Sequence, residues 1–150
     1  MIEVGQVLSL KIRFNNSGAV ANQAHPVLVV KVNYDKNVLE IAHIDSITKE
    51  KKWKALLKSN VIVRKDNSFE KVIDRDSFVQ IDNIIQLEYF PELVQKRRQI
   101  DKLSDAKLNK VLDKYFSYQK NEWIDDDKKV FMTREEIILL NDDILETVGN

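Results

Sequence analysis

The sequence predicts an α+β fold, in which a small, mostly antiparallel β-barrel carries helices appended toward its C-terminus. Strand-like segments joined by short turns come first, the long helical patterns come last, and 150 residues contain only 3 Gly and 2 Pro. Consecutive strands with short turns pair antiparallel, and so few turn residues disfavour a large sandwich. This length suits one domain, which we expect to span residues 1–150.

The first strand is predicted over residues 6–14, where apolar and polar side chains alternate. Lys11 and Arg13 fall on its polar side, so we expect a half-buried strand with a basic outer face. Residues 15–23 are small and polar and predict a loop.

Further strands are predicted from apolar, β-branched runs, and two of them flank a tight turn at residues 33–37. The first three strands should form an antiparallel meander. The predicted strands after the loop are residues 27–32, 38–44, 61–63, 72–73 and 79–87.

Three helices are predicted. The first, a short helix or a helical turn, lies in the lysine-rich residues 49–58. The second is amphipathic and follows Ser104 as its N-cap up to residue 118. The last begins at Thr133, which forms a capping box with Glu136. Between the last two, residues 125–127 are three aspartates and predict a solvated loop. Together these elements match a small SH3-like barrel with C-terminal helices.

Charge is divided unevenly along a chain whose formal net charge is zero. Residues 1–65 hold 11 Lys/Arg and 5 Asp/Glu, a balance of +6, and residues 66–150 have a balance of −6. A basic half predicts a polyanionic partner. Uneven decoration of the surface is the alternative, and charge alone does not decide between them.

Several function classes are excluded by composition. Without cysteine there is no disulfide, thiolate metal site or cysteine nucleophile. The chain has no pattern of a signal peptide and no run of about 20 apolar residues, so we expect a cytoplasmic protein without membrane contact.

Motifs for phosphate loops, zinc proteases and serine hydrolases are also missing. The only histidines are His25 and His43. They could form a zinc site with a carboxylate, but each alone is better explained structurally, so we expect no metal and no cofactor.

RNA cleavage by the substrate's own 2′-OH needs neither a metal nor a protein nucleophile. The protein must orient the ribose, transfer protons and stabilise negative charge. His25 precedes one predicted strand, and Ser46 follows the next, directly before a lysine cluster. If these strands pair, both residues lie at one end of the sheet.

These segments resemble the MazF/PemK (MazF/Kid-like) toxins. The resemblance is carried by Gly5-Gln6-Val7 opening the first strand, His25-Pro26 before an aliphatic strand, and Asp45-Ser46 ending the next. The MazF relatives have an Arg-Pro pair and a Thr-Ser pair at the last two places, so their roles do not transfer intact to His25 and Asp45.

Residues 46–53 are similar to ToxN/CptN-like toxins of type III toxin–antitoxin systems, in which lysines and a tryptophan follow a serine. The two resemblances cover about the first 65 residues, with weaker similarity at residues 96–103. They imply a metal-independent, sequence-selective endoribonuclease that leaves a 2′,3′-cyclic phosphate. They also imply a toxin inhibited by an RNA antitoxin, as a homo-oligomer or a toxin–RNA ring.

The expected catalytic residues are a histidine, two hydroxyls and two lysines at the predicted sheet end: His25, Ser46, Thr48, Lys49 and Lys51. The expected RNA-binding residues are basic or aromatic: Lys11, Arg13, Lys52, Trp53, Lys54, Lys58, Arg97 and Arg98.

Most of these residues also have a structural explanation. His25, before a proline at the junction of a loop and a strand, could simply cap a turn. Ser46 and Thr48 suit a strand end, the lysines suit a solvated helix face, and Trp53 suits a core. Arg97 and Arg98 could pair with the acidic tail.

A different function on the same barrel is a non-enzymatic toxin that binds a protein such as DNA gyrase through its C-terminal helix. An RNA-binding module without chemistry is a third.

Overall fold

The protein is described here in a computed structural model, which describes residues 1–14, 20–21, 23–65, 72–97, 102–121 and 129–141. The described part contains six strands, three α-helices and one 3-10 helix. The strands are β1 (Val7–Leu10), β2 (His25–Asn33), β3 (Val38–Ser46), β4 (Asn60–Val63), β5 (Ser77–Glu88) and β6 (Val130–Met132). The helices are α1 (Lys52–Ala55), α2 (Asp105–Lys120), α3 (Arg134–Leu140) and the 3-10 helix (Pro91–Lys96).

The strands form one mostly antiparallel sheet in the order β1-β2-β3-β5-β4. The predicted meander is confirmed, since β2 pairs antiparallel with both β1 and β3. β6 pairs with β5 in parallel, which the sequence analysis did not predict. The mixture of helices with a mostly antiparallel sheet confirms the α+β class. The described strands pair along an open path, so closure into a barrel stays a prediction.

Apolar side chains cover both faces of the central strands. In β2, Val27 and Val29 belong to one core, whereas Leu28 and Val30 belong to the other. Successive strand residues point to opposite faces, so this division means that neither face is open to solvent. The first core includes side chains of the 3-10 helix and α3, and the second includes those of α2.

Two predicted strands differ from the structure. β1 ends at Leu10, and its buried residues fall in both cores, so the basic outer face predicted for residues 6–14 does not form as a strand. Val72 and Ile73 are buried but lie outside any strand. They pack in the core without pairing to a neighbouring strand. Apolar character predicts that such residues are buried but does not tell whether they form a strand.

The predicted start of α3 is confirmed in half of its detail. Thr133 Oγ1 accepts a hydrogen bond of 3.2 Å from the backbone N–H of Glu136. In a capping box the Glu136 carboxylate would accept from the backbone N–H of Thr133. It binds Arg13 Nε instead, at 2.7 Å. The helix is therefore tied to the segment that follows β1. The predicted loops of residues 15–23 and 125–127 lie largely or wholly outside the described residues.

A buried ion pair joins the sheet to the chain before β6. Lys129 Nζ lies 2.9 Å from Glu40 Oε1, with side chains 1% and 6% exposed. Tyr115 of α2 and Gln86 of β5 also donate to the Glu40 carboxylate. These donors hold the pKa of Glu40 below its ordinary value in spite of desolvation, which opposes them.

Candidate functional site

A polar cleft lies where β2 begins and β3 ends. Val27 pairs with His43, which brings these two strand ends together at one end of the sheet. The cleft has a volume of about 660 Å³, and we call it the histidine cleft. Its lining residues are Phe14, Val20, Ala21, Gln23, His25, His43, Asp45, Lys51, Lys54, Gln80 and Asn83.

Three aromatic rings pack together in this cleft. The His25 and His43 ring centroids are 5.0 Å apart, with their planes at 80°. Phe14 contacts both rings edge to face, at 5.6 Å from His25 and 5.5 Å from His43. Edge-to-face packing fixes ring orientation, so the two imidazoles are held beside each other.

His43 is a buried, neutral imidazole at pH 7. Its residue is 5% exposed, and desolvation is the main cause that lowers its pKa to about 4. The Asp45 carboxylate opposes this shift, whereas His25, Lys51 and Lys54 lower the pKa of His43 further. Burial disfavours the imidazolium because a charge loses its hydration there.

One nitrogen of His43 is paired and the other is not. Gln80 Nε2 lies 3.3 Å from His43 Nδ1, whereas His43 Nε2 is buried with no hydrogen-bond partner among the described residues. With the Gln80 amide donating to Nδ1, the proton of the neutral ring stands on Nε2. The ring therefore has a buried N–H donor that no described residue uses.

Positive charge reaches the histidine cleft from the turn before α1 and from α1 itself. Lys51 Nζ lies 3.0 Å from Asp45 Oδ2, and Lys54 also lines the cleft. Thr48 Oγ1 accepts from the backbone N–H of Lys51, and Asn60 Nδ2 donates to the carbonyl of Lys54 at 2.7 Å. These bonds hold the lysines against the end of β3.

The structure brings some of the predicted catalytic residues together and not others. His25 and Lys51 line the histidine cleft. Ser46 lies at the same end of the sheet, as the sequence predicted, but it follows Asp45 in β3 and so points to the opposite face. Thr48 and Lys49 are exposed and are not among the lining residues.

The predicted RNA-binding residues fall into two groups. Lys52, Trp53, Lys54 and Lys58 lie in or beside α1, and Trp53 is 66% exposed instead of buried in a core.

The other group lies beside β1: Lys11 and Arg13 follow this strand, and Arg97 forms a β-bridge with Leu8. Arg13 is paired with Glu136, and the Lys11 backbone bonds to Asn141. Arg97 Nε donates to the carbonyl of Val94, and Arg98 lies outside the described residues. Arg13 and Arg97 are thus engaged within the fold.

Sequence reasoning missed His43 and Gln80 as parts of one site. His43 looked like an ordinary strand residue, and Gln80 stood among other polar residues of the predicted strand at 79–87. Only the register of β3 against β5, which shifts between Ala42 and Ile44, brings Gln80 to the histidine. Two histidines in adjacent predicted strands were the one available signal.

No group of three His, Asp or Glu side chains in the described residues is arranged to hold a metal ion. Among the described helices, none combines the length and the apolar character that a membrane crossing needs. No protein-family model matches the sequence, and a search of curated proteins finds no relative.

Proposed function

We propose that this chain is a metal-independent endoribonuclease that acts in the histidine cleft. The observation that carries the proposal is the pairing of His25 and His43, 5.0 Å apart, in one cleft with two lysines. Imidazoles transfer protons near neutral pH, and ammonium groups stabilise phosphate oxygens. These groups suit the cleavage of RNA, in which the ribose 2′-hydroxyl attacks the adjacent phosphodiester.

In the proposed reaction the 2′-oxygen attacks the adjacent phosphorus while His25 removes its proton. The bond from phosphorus to the 5′-oxygen breaks, and the leaving oxygen takes a proton from the Lys54 ammonium. The products are a 2′,3′-cyclic phosphate and a free 5′-hydroxyl. Solvent then returns both side chains to their starting states.

The neutral His43 has a different role from His25. A ring with a pKa of about 4 holds no proton to give as an imidazolium at pH 7. Its buried Nε2 does not reach the cleft surface, so we assign His43 to holding the His25 ring in place, through the contact of 5.0 Å between the two ring centroids. Lys51 adds positive charge, and the exposed Thr48 and Lys49 are assigned to binding the RNA backbone beside the cleft. Ser46, on the opposite face of β3, has no part in this proposal.

The toxin assignment is a second part of the proposal. It is supported by the MazF/PemK-like and ToxN/CptN-like residues and by the basic first half of the chain. The natural inhibitor would then be a structured RNA. The SH3-like barrel of such toxins is supported here only by the antiparallel β1-β2-β3 meander.

One observation favours the non-enzymatic alternative. Leu139 of α3 is 77% exposed, and Phe131 of β6 is 42% exposed, which would suit a protein partner. In that case, substitution of His25 would leave toxicity unchanged.

The test is the rate of RNA cleavage by His25→Gln and His43→Gln variants. We expect His25→Gln to lower the rate by about 10²–10⁴-fold, because general acid–base groups contribute on that scale. His43→Gln should lower the rate less than His25→Gln, because the His43 ring packs on His25 and its buried Nε2 does not contact the substrate.

The matched control is Lys36→Gln, an exposed lysine in the β2–β3 turn, which should cleave like wild type. Circular dichroism shows whether each variant is folded. A folded His25→Gln variant that cleaves RNA as fast as wild type would contradict the proposal.

A further inference from the structure

α1 and the residues after it expose three large apolar side chains within a stretch of five residues. Trp53 is 66% exposed, Leu56 is 71% exposed and Leu57 is 43% exposed. Single exposed apolar residues are common, but a cluster of them marks a contact surface.

A basic groove lies between the end of α1, β4 and α2, and we call it the α1 groove. It has a volume of about 310 Å³. Lys58, Lys110 and Lys114 line it, and its described lining contains no carboxylate. Lys114 Nζ also donates to the carbonyl of Lys58 at 2.7 Å, which links α2 to the chain that follows α1.

α1 connects this groove to the histidine cleft. Lys51 and Lys54 line the cleft, whereas Ala55, Leu56, Leu57 and Lys58 line the groove. Residues 51–58, which join the two, contain four lysines and no Asp or Glu, so this connection is positively charged. A chain of phosphates could follow it without crossing a negative region of this segment.

We propose that the α1 groove binds the single-stranded RNA that flanks the cleaved phosphate, with a base stacked on Trp53. This inference rests on the proposed function and names the form of its substrate. An exposed indole can stack only on an unstacked base, which single-stranded RNA provides and a duplex does not. Lys58, Lys110 and Lys114 would bind the neighbouring phosphates.

Charge and shape favour RNA over an anionic bilayer. Basic helices with Trp and Leu also lie on membrane surfaces. α1, however, has only four residues, and the lysines beside it line a concave groove. A narrow polyanion fits a groove better than a flat lipid surface does.

The test measures binding of an unstructured 2′-O-methyl oligonucleotide of about ten nucleotides, which carries no free 2′-hydroxyl to attack. Fluorescence anisotropy gives its Kd at several salt concentrations. We expect Trp53→Ala to weaken binding about tenfold or more, and Trp53→Phe to weaken it less, because an aromatic ring still stacks.

A Lys110→Gln/Lys114→Gln double variant should also weaken binding. It should reduce the slope of log Kd against log salt by about 1.4, since each lost phosphate contact removes about 0.7. The matched control is Lys36→Gln/Lys120→Gln, which removes two exposed charges that do not line the groove. It should bind like wild type.

Wild-type binding by the groove double variant and by Trp53→Ala would overturn the inference. So would binding of anionic phospholipid vesicles without binding of the oligonucleotide. The proposed function fails separately, if wild type cuts no RNA, and the binding experiment still decides whether the groove holds a single strand.

Discussion

His43 differs from a surface histidine in that folding removes its ring from water. Its pKa is about 4 in the folded protein, against an ordinary value of 6.5. Between these values the unfolded chain takes up a proton that the folded chain does not. The contribution of the buried, neutral His43 ring to the stability of the folded protein is therefore fully present above about pH 6.5 and is lost as the pH falls toward 4.

We expect acidification from about pH 7.5 to about pH 4.5 to lower the free energy of unfolding by about 2–3 kcal/mol through His43 alone. Urea denaturation at both pH values measures it. His43→Gln should lack this part of the pH dependence, because its amide does not titrate.

The matched control is His25→Gln, which removes the neighbouring imidazole but keeps His43 in its buried place. It should keep most of the pH-dependent loss. Identical pH profiles for wild type and His43→Gln would show that the ring is hydrated in the folded protein.

At the level of elements, the buried Glu40–Lys129 pair joins β3 to the start of β6, and Tyr115 brings α2 to the same carboxylate. Removing one partner of such a pair leaves a buried charge without compensation, which costs more than the pair itself contributes.

We expect Lys129→Met to lower the free energy of unfolding by about 3–5 kcal/mol. Lys120→Met, at the exposed end of α2, should change it by no more than about 0.5 kcal/mol. Urea denaturation compares the two. A Lys129→Met variant as stable as Lys120→Met would mean that Glu40 is solvated or protonated without its lysine.

Elements set by local chemistry could be predicted from the sequence. Thr133 caps α3 as predicted, and the turn after β2 contains Asn37, whose φ of 55° suits a tight hairpin. β6 could not be predicted, since it has three residues and forms by pairing with the distant β5. Nor could the 3-10 helix, whose Pro91 signals only a start.

At the level of the whole molecule, the strand ends that form the histidine cleft could be predicted but its composition could not. The order of β2 and β3 placed His25 near the end of β3. Whether Asp45 or Ser46 faces His25 depends on alternation along β3, and the approach of Gln80 depends on a register shift in the pairing of β3 with β5. Both depend on long-range pairing that a single sequence does not encode in its local pattern.

The central claim is that the histidine cleft cleaves RNA through the substrate's own 2′-hydroxyl. The most direct measurement incubates the purified protein with a long RNA in EDTA and identifies the new ends. A second substrate then carries a 2′-deoxyribose at the mapped cut. We predict cleavage in EDTA, a 2′,3′-cyclic phosphate at the new end, and no cleavage at the deoxy position. Equal cleavage of the deoxy substrate, or no cleavage of any RNA, would contradict the claim.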